Sequence, residues 1–313
     1  MSDIPKKVHI REEGPREGFQ IEPGPISTAD KIALIDALSD TGVDHIQTVS
    51  FVNPKAVPGW ADADAVVRGM KKKDGVEYTA LWFNEQGLQR ALAHQDKLHV
   101  TGALIGSASD VFCRKNLNRS IAEHTEVMRK QAASLVANAV PIRRVGVMAA
   151  FGCNYSGEVS VQQALEAAET GMSIAREAGA RIEEITLADS MGWCTPARTE
   201  RLVGAFRERW PEVELILHLH DTRGMGVASA HAALRMGVTS FDSTVAGLGG
   251  CPFAGRPGAT GNIASEELVL LCHEMGIETG VDLEALIEVG RMAERLVGHP
   301  LPSTLLRSGS YQT

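Results

Sequence analysis

The sequence predicts an α/β fold, a (β/α)8 TIM barrel with extra C-terminal helices, and three observations carry that expectation. Short apolar runs alternate eight times with stretches of helical periodicity. Polar and charged residues collect just after the apolar runs, where such a barrel gathers its functional side chains. The chain has 313 residues, enough for a barrel of about 250 and an appendage, with no linker or low-complexity run to divide it. One domain is therefore expected over residues 1–313, with the barrel over about 7–276 and a helical cover over about 277–313.

A first strand is read at residues 7–12, stopping at Gly14-Pro15 and opening into a loop that carries Arg16, Glu17 and Gln20. Ser27 and Thr28 cap a helix to about residue 41, with Ile32, Leu34, Ile35 and Leu38 as its apolar stripe. The unit then repeats: strand 43–49 and helix 61–70, strand 78–82 and helix 85–93, strand 97–105. A long loop over 107–118 precedes a helix at 121–137. The fifth strand is 143–150, with helix 161–178 after it; the sixth is 182–188 and ends at Asp189. The seventh is 214–220 and the eighth 239–245, with a glycine-rich loop behind it. A helix at 283–296 exceeds the eightfold count and is assigned to the cover.

Composition narrows the class. With 44% hydrophobic and 22% charged residues the chain is that of a globular protein, and its net charge of −8 argues against nonspecific nucleic-acid binding. No apolar run approaches the ~20 residues of a membrane span, and the N-terminus lacks a signal-peptide core, so no membrane partner and a cytoplasmic location are expected. Five cysteines without a CxxC pair fit reduced thiols. Cys272 lies in a helical apolar pattern and reads as a small core residue, whereas Cys251 sits in a flexible loop between Gly250 and Pro252.

The seventh strand carries the clearest chemical signal. Residues two apart on a strand share a face, with Cβ atoms roughly 6–7 Å apart, so His218 and His220 can converge on one cation while Leu217 and Leu219 pack behind. Two satisfied strand histidines are the alternative. In a closed ring the first, seventh and eighth strands are near neighbours, which lets Glu17 approach the pair. One carboxylate, two imidazoles and the Asn262 carbonyl make a mixed oxygen and nitrogen set suited to Mg2+, Mn2+ or Zn2+.

These motifs resemble, nearly end to end, the 3-hydroxy-3-methylglutaryl-CoA (HMG-CoA) lyase family of the metal-dependent TIM-barrel (DRE-TIM) lyases. Gly14 to Gln20 is similar to the family's GPRDGLQ, residues 50–58 to its SFVSPKWVP, and Phe112 to Asn118 to its acyl-CoA-side loop. Val245 to Phe253, with Gly261-Asn262 beyond, is similar to the lyase signature loop, which related synthases and aldolases do not share. The resemblance implies an acyl-CoA substrate cleaved to acetyl-CoA and a keto acid, and a divalent cation on Glu17, His218, His220 and Asn262. It implies that Arg16 stabilises the enolate oxygen, that Cys251 on a mobile loop returns a proton to the carbanion, and that Asp189 with His218 removes the hydroxyl proton. Gln20, Gln47, Arg144, Lys115 and Asn116 are carried over as the substrate-binding set, and a homo-oligomer, dimer or tetramer, is expected.

Several positions depart from the family. Glu17 stands where it has Asp and Gln47 where it has Glu, Pro23 replaces a Lys, and Gly146 with Met148 replaces Tyr and Ser on the fifth strand. The longer carboxylate of Glu17 is expected to offset the acid lost at Gln47, and the altered pocket to suit a different or bulkier 3-hydroxyacyl-CoA. Two other readings stand beside the lyase: a synthase or aldolase acting on a keto acid, and a metal-binding homologue with altered catalysis. Blander local readings are Asp189 as a turn cap and Arg16 with Glu17 as a surface ion pair.

Overall fold

The computed structural model describes residues 4–55, 57–250 and 259–310. Eight strands form one sheet, β1 (His9–Glu12), β2 (His45–Ser50), β3 (Glu77–Leu81), β4 (Gly102–Ser107), β5 (Ile142–Met148), β6 (Glu184–Ala188), β7 (Glu214–His218) and β8 (Ser240–Ser243). Their order is β3-β2-β1-β8-β7-β6-β5-β4, sequential around the ring as a (β/α)8 barrel requires. The pairs β1–β2, β2–β3, β4–β5, β5–β6 and β6–β7 are parallel. The chain groups into two compact units, one built on Thr101–Ser240 and the other on Lys6–Val100 with the segments after β8.

In the unit built on Lys6–Val100, three helices follow from local signals: α1 (Gly14–Ile21), α2 (Thr28–Ser39) and α3 (Ala63–Gly69). The expected loop after β1 is in fact α1, because Pro15 sits in the first turn, where its missing N–H costs nothing and its φ suits a helix. Arg16 and Glu17 thus ride on a rigid element. The Ser27 hydroxyl accepts from the Asp30 N–H at 3.1 Å and starts α2, as read. The buried face of α2 is rotated from the expected stripe: Lys31, Leu34, Ile35 and Leu38 are buried and Ile32 is only half-buried. Lys31 tolerates burial because its ammonium donates to Asp62 at 2.6 Å and to the Gly59 carbonyl at 2.5 Å. Helix α4 (Glu85–Leu92) is capped by Asn84, whose Oδ1 accepts from Gly87 at 2.9 Å.

In the unit built on Thr101–Ser240, the segment read as a loop at 107–118 contains α5 (Asp110–Leu117), started by Ser109 and ended by Asn118 at φ 54°. Only Phe112 and Cys113 of that helix are buried, so it carries almost no hydrophobic period. Helices α6 (Ile121–Ala137) and α7 (Val161–Glu177) begin at full capping boxes, Ser120 with Glu123 and Ser160 with Gln163. Helices α8 (Pro196–Arg209) and α9 (Gly226–Arg235) complete this unit. Beyond β8 lie α10 (Ser265–Glu274), α11 (Leu283–Val297) and α12 (Leu305–Ser308), the extra C-terminal helices. No helix among the described residues is long and apolar enough to cross a membrane.

Glu12 ties three elements together. Fully buried, it accepts from the Gly14 N–H at 2.7 Å, the Val245 N–H at 2.9 Å and the Ser265 hydroxyl at 2.6 Å, joining β1 to the start of α1 and to the turn after β8. Burial raises its pKa from 4.5 to about 7, although the three hydrogen bonds oppose the shift. A folded-state pKa raised in this way gives stability that is full below about 4.5 and lost as pH rises through about 7. Glu12→Ala is expected to cost on the order of 3 kcal/mol by orphaning those donors. Glu12→Gln keeps an acceptor and removes the titration. Its denaturation free energy relative to wild type should therefore improve from pH 5 to pH 8 by roughly 2–3 kcal/mol, and a pH-independent difference would contradict this.

Candidate active site

The polar interior of the first unit is built by alternation. On β1 and just past it, Arg11 and Glu13 share a face, as do His45 and Gln47 on β2, and all four are buried. Arg11 reaches His45 Nε2 at 3.2 Å and Asp242 of β8 at 3.3 Å. Arg16 projects from the first turn of α1 with its side chain only 12% exposed, so it is not part of a surface ion pair. Its Nη2 lies 2.5 Å from Glu13 and 3.2 Å from Glu17, and its Nε donates to the Gln47 carbonyl. Burial lowers the Arg16 pKa, but the Glu13, Glu17 and Asp242 carboxylates outweigh it and raise the pKa above the ordinary value. Arg16 is a permanently charged donor held in one orientation.

Gln47 also donates from Nε2 to Glu13 at 3.3 Å. The Glu17 carboxylate does reach Arg16, and a second acid, Glu13, contacts both Gln47 and Arg16. Gln20, later on α1, has a buried Oε1 with no hydrogen-bond partner among the described residues, as does Asn262, which is 2% exposed with its Oδ1 unpaired. An orphaned buried carbonyl oxygen is costly unless a ligand or ion completes it. A hard oxygen donor of this kind fits a divalent cation.

In the other unit, β7 ends at His218 and the chain continues to His220 with the same alternation. The two imidazole centroids are 5.3 Å apart, while Leu217 and Leu219 are fully buried behind them. Glu17 in the first unit, and His218 and His220 in this one, are each of a metal-ligating type. Glu13 and Asp242 are carboxylates of the first unit as well, but they are already set against Arg16 and Arg11, which makes them poorer hosts for a cation.

Asp189 follows β6 and is fully buried. Its N–H donates to the His218 carbonyl at 2.8 Å, and its two carboxylate oxygens accept from the N–H groups of Trp193 at 2.6 Å and Cys194 at 2.9 Å. The turn-capping reading of Asp189 is thus correct, and it coexists with a place beside His218. Burial raises its pKa against those hydrogen bonds. Cys272 is buried in α10 with its pKa pushed up to about 12, as a core thiol. Cys251 lies outside the described residues.

Asn116 and Lys115 stand on α5. Asn116 Nδ2 meets the sulfur of Met148, the last residue of β5, at 3.6 Å, and the Lys115 ammonium lies 4.7 Å from the centre of the Tyr155 ring. Arg144 is placed differently. It pairs with Glu184, the first residue of β6, at 2.7 Å, four residues before the carboxyl end of β5, roughly 13 Å along the strand. The fold does not bring it to the strand ends where the other candidates lie.

Residues 7–293 match the HMGL-like family. A hydroxymethylglutaryl-CoA lyase of Bacillus subtilis is 39% identical over 303 residues, covering 97% of this chain and 97% of that protein. A 3-hydroxy-3-isohexenylglutaryl-CoA/hydroxymethylglutaryl-CoA lyase of Pseudomonas aeruginosa is 38% identical over 296 residues, 95% of each chain. Among solved structures, an HMG-CoA lyase from Acinetobacter baumannii in complex with coenzyme A and 3-methylmalate matches with a TM-score of 0.86 at 35% identity, covering 100% of this chain and 97% of that one.

Proposed function

The chain belongs to the HMGL-like family, and from that premise we propose that it cleaves 3-hydroxy-3-methylglutaryl-CoA, or a 3-hydroxyacyl-CoA with a larger 3-substituent, to acetyl-CoA and a keto acid. It is a carbon–carbon lyase of the hydroxymethylglutaryl-CoA lyase type. The observation that carries the assignment is Arg16, a buried guanidinium fixed by Glu13 and Gln47 and facing the Glu17 carboxylate.

Cleavage removes the proton of the tertiary hydroxyl, forms a carbonyl there, and sends the C–C bonding electrons into the thioester enolate, which then takes up a proton. Glu17, His218, His220 and Asn262 are the proposed cation ligands, Mg2+ or Mn2+ ahead of Zn2+ because two of the four donors are oxygens. A divalent cation held there supplies Lewis-acid stabilisation to negative charge developing on the tertiary oxygen. Asp189, made more basic by burial, receives the hydroxyl proton beside His218. Arg16 donates to the enolate oxygen, where a fixed positive charge acts on the transition state more than on the ground state. Cys251 returns the proton to carbon. Gln20, Lys115 and Asn116 form the proposed substrate-binding set, with Lys115 toward the phosphates; Gln47, engaged by Arg16 and Glu13, and Arg144, engaged by Glu184, are left out.

A panel of 3-hydroxy-3-alkylglutaryl-CoA thioesters, assayed with Mg2+ or Mn2+ for acetyl-CoA release, tests this reading. Turnover of the methyl or a longer-chain member is expected. Turnover of keto acids with none of any thioester would replace the lyase by the synthase or aldolase reading.

A further inference from the structure

We propose that Glu13 is the positioning residue of Arg16, supplying the anion that ties the guanidinium to Gln47, and that this charge can be moved to position 47 without loss of function. The proposal rests on the reading of Arg16 as the enolate-stabilising residue. Glu13 precedes α1, at the N-cap position, where an acid ordinarily turns back to accept a backbone N–H of the first turn. Its side chain makes no such bond. It is 4% exposed and spends one oxygen on Arg16 Nη2 at 2.5 Å and the other on Gln47 Nε2 at 3.3 Å.

Gln47 closes the triangle by accepting from Arg16 Nε. Two edges of the fork are thereby engaged, Nε by a neutral amide and Nη2 by carboxylates, and no described residue takes Nη1, which is left to meet an incoming oxyanion. Glu17 also faces Nη2, at 3.2 Å, but it is one of the proposed cation ligands and cannot give its charge wholly to Arg16. Glu13 is therefore the acid that holds both the guanidinium and the Gln47 amide. A carboxylate in place of the Gln47 amide would accept the same Nε–H, since the amide oxygen already occupies that point. Position 47 is thus able to carry the charge that position 13 now carries. With both acids present, two carboxylates would face each other across the 3.3 Å gap now bridged by an N–H.

The test is a four-protein cycle of wild type, Glu13→Gln, Gln47→Glu and the double variant, with kcat, KM and Mn2+ affinity measured for each. Glu13→Gln should lower kcat by about 10- to 100-fold with KM changed less than about threefold. Gln47→Glu alone should lower kcat severalfold. The double variant, with one acid again between positions 13 and 47, should recover to within about threefold of wild type. Mn2+ affinity should stay within about twofold throughout, because Glu13 is not among the proposed ligands.

A double variant no better than Glu13→Gln would overturn the proposal, as would loss of Mn2+ binding in Glu13→Gln, which would make Glu13 a metal ligand. Denaturation midpoints of the four proteins supply a readout independent of turnover, expected to fall in both single variants and recover in the double. A wild type inactive on every thioester, with the midpoints still recovering, would remove the lyase reading and leave the charge relocation standing. Midpoints that do not recover would overturn the relocation whatever the activity.

Discussion

His220→Ala protein should bind Mn2+ at least about 100-fold more weakly than wild type, and lyase turnover should fall with it. Groups that only orient a metal ligand already cost about 10- to 100-fold in affinity when removed, so loss of a ligand itself must cost at least that. The imidazole is one of two whose centroids lie 5.3 Å apart, and it is 5% exposed, so no surface side chain stands ready to replace it. Excess Mn2+ should restore only part of the turnover, because a replacement water would not reproduce the imidazole. Full stoichiometry at unchanged affinity in this variant would show that His220 is a satisfied core histidine, and would leave Glu17, His218 and Asn262 to account for any cation.

Arg16→Gln should lower kcat by about 100- to 1,000-fold, the range found when one preorganised donor to a developing oxyanion is removed. KM should move far less, since the lost interaction belongs to the transition state. Arg16→Lys should not rescue it: the single ammonium nitrogen cannot stand at both the Nε and Nη2 positions from which the guanidinium reaches Gln47 and Glu13. Stability falls as well, because Glu13 at 4% exposure loses its counter-ion. Comparing the two variants at a temperature where both remain folded separates this loss from catalysis. Equal losses in kcat/KM carried entirely by KM would make Arg16 a binding residue only.

How much of this was legible in the sequence depended on whether a residue's partner was local. The helix starts at Ile121 and Val161 were readable to the residue, because Ser120 with Glu123 and Ser160 with Gln163 close their capping boxes within four positions. The histidine pair was readable because strand period two fixes which side chains share a face. Gly14-Pro15 was ambiguous in principle: it ends a strand and also begins a helix, and only the packing of Phe19 and the close approach of Leu248 to Gly18 decide for the helix. A Cβ on Gly18 would meet Leu248 at 2.2 Å. Helix α5 escaped because two buried residues make no period.

Glu13 escaped for a different reason. Its partner Gln47 lies 34 positions away, and nothing in the local pattern at residue 13 distinguishes a side chain that caps α1 from one turned to a guanidinium. Sequence reasoning assigned compensation for the missing acid to Glu17, which reaches Arg16 at 3.2 Å, whereas the second acid beside that guanidinium, Glu13 just past β1, went unread. Lys31 is a similar case, a charge hidden in an apolar face by Asp62, 31 positions on.

The most direct test of the account is acetyl-CoA release from 3-hydroxy-3-methylglutaryl-CoA by wild-type protein stripped of metal and titrated back with Mn2+ while binding is followed in the same sample. Turnover should be negligible after stripping and rise in proportion to one bound cation per chain. Undiminished release by metal-free protein, or full occupancy of the site without any release from the thioester panel, would contradict it.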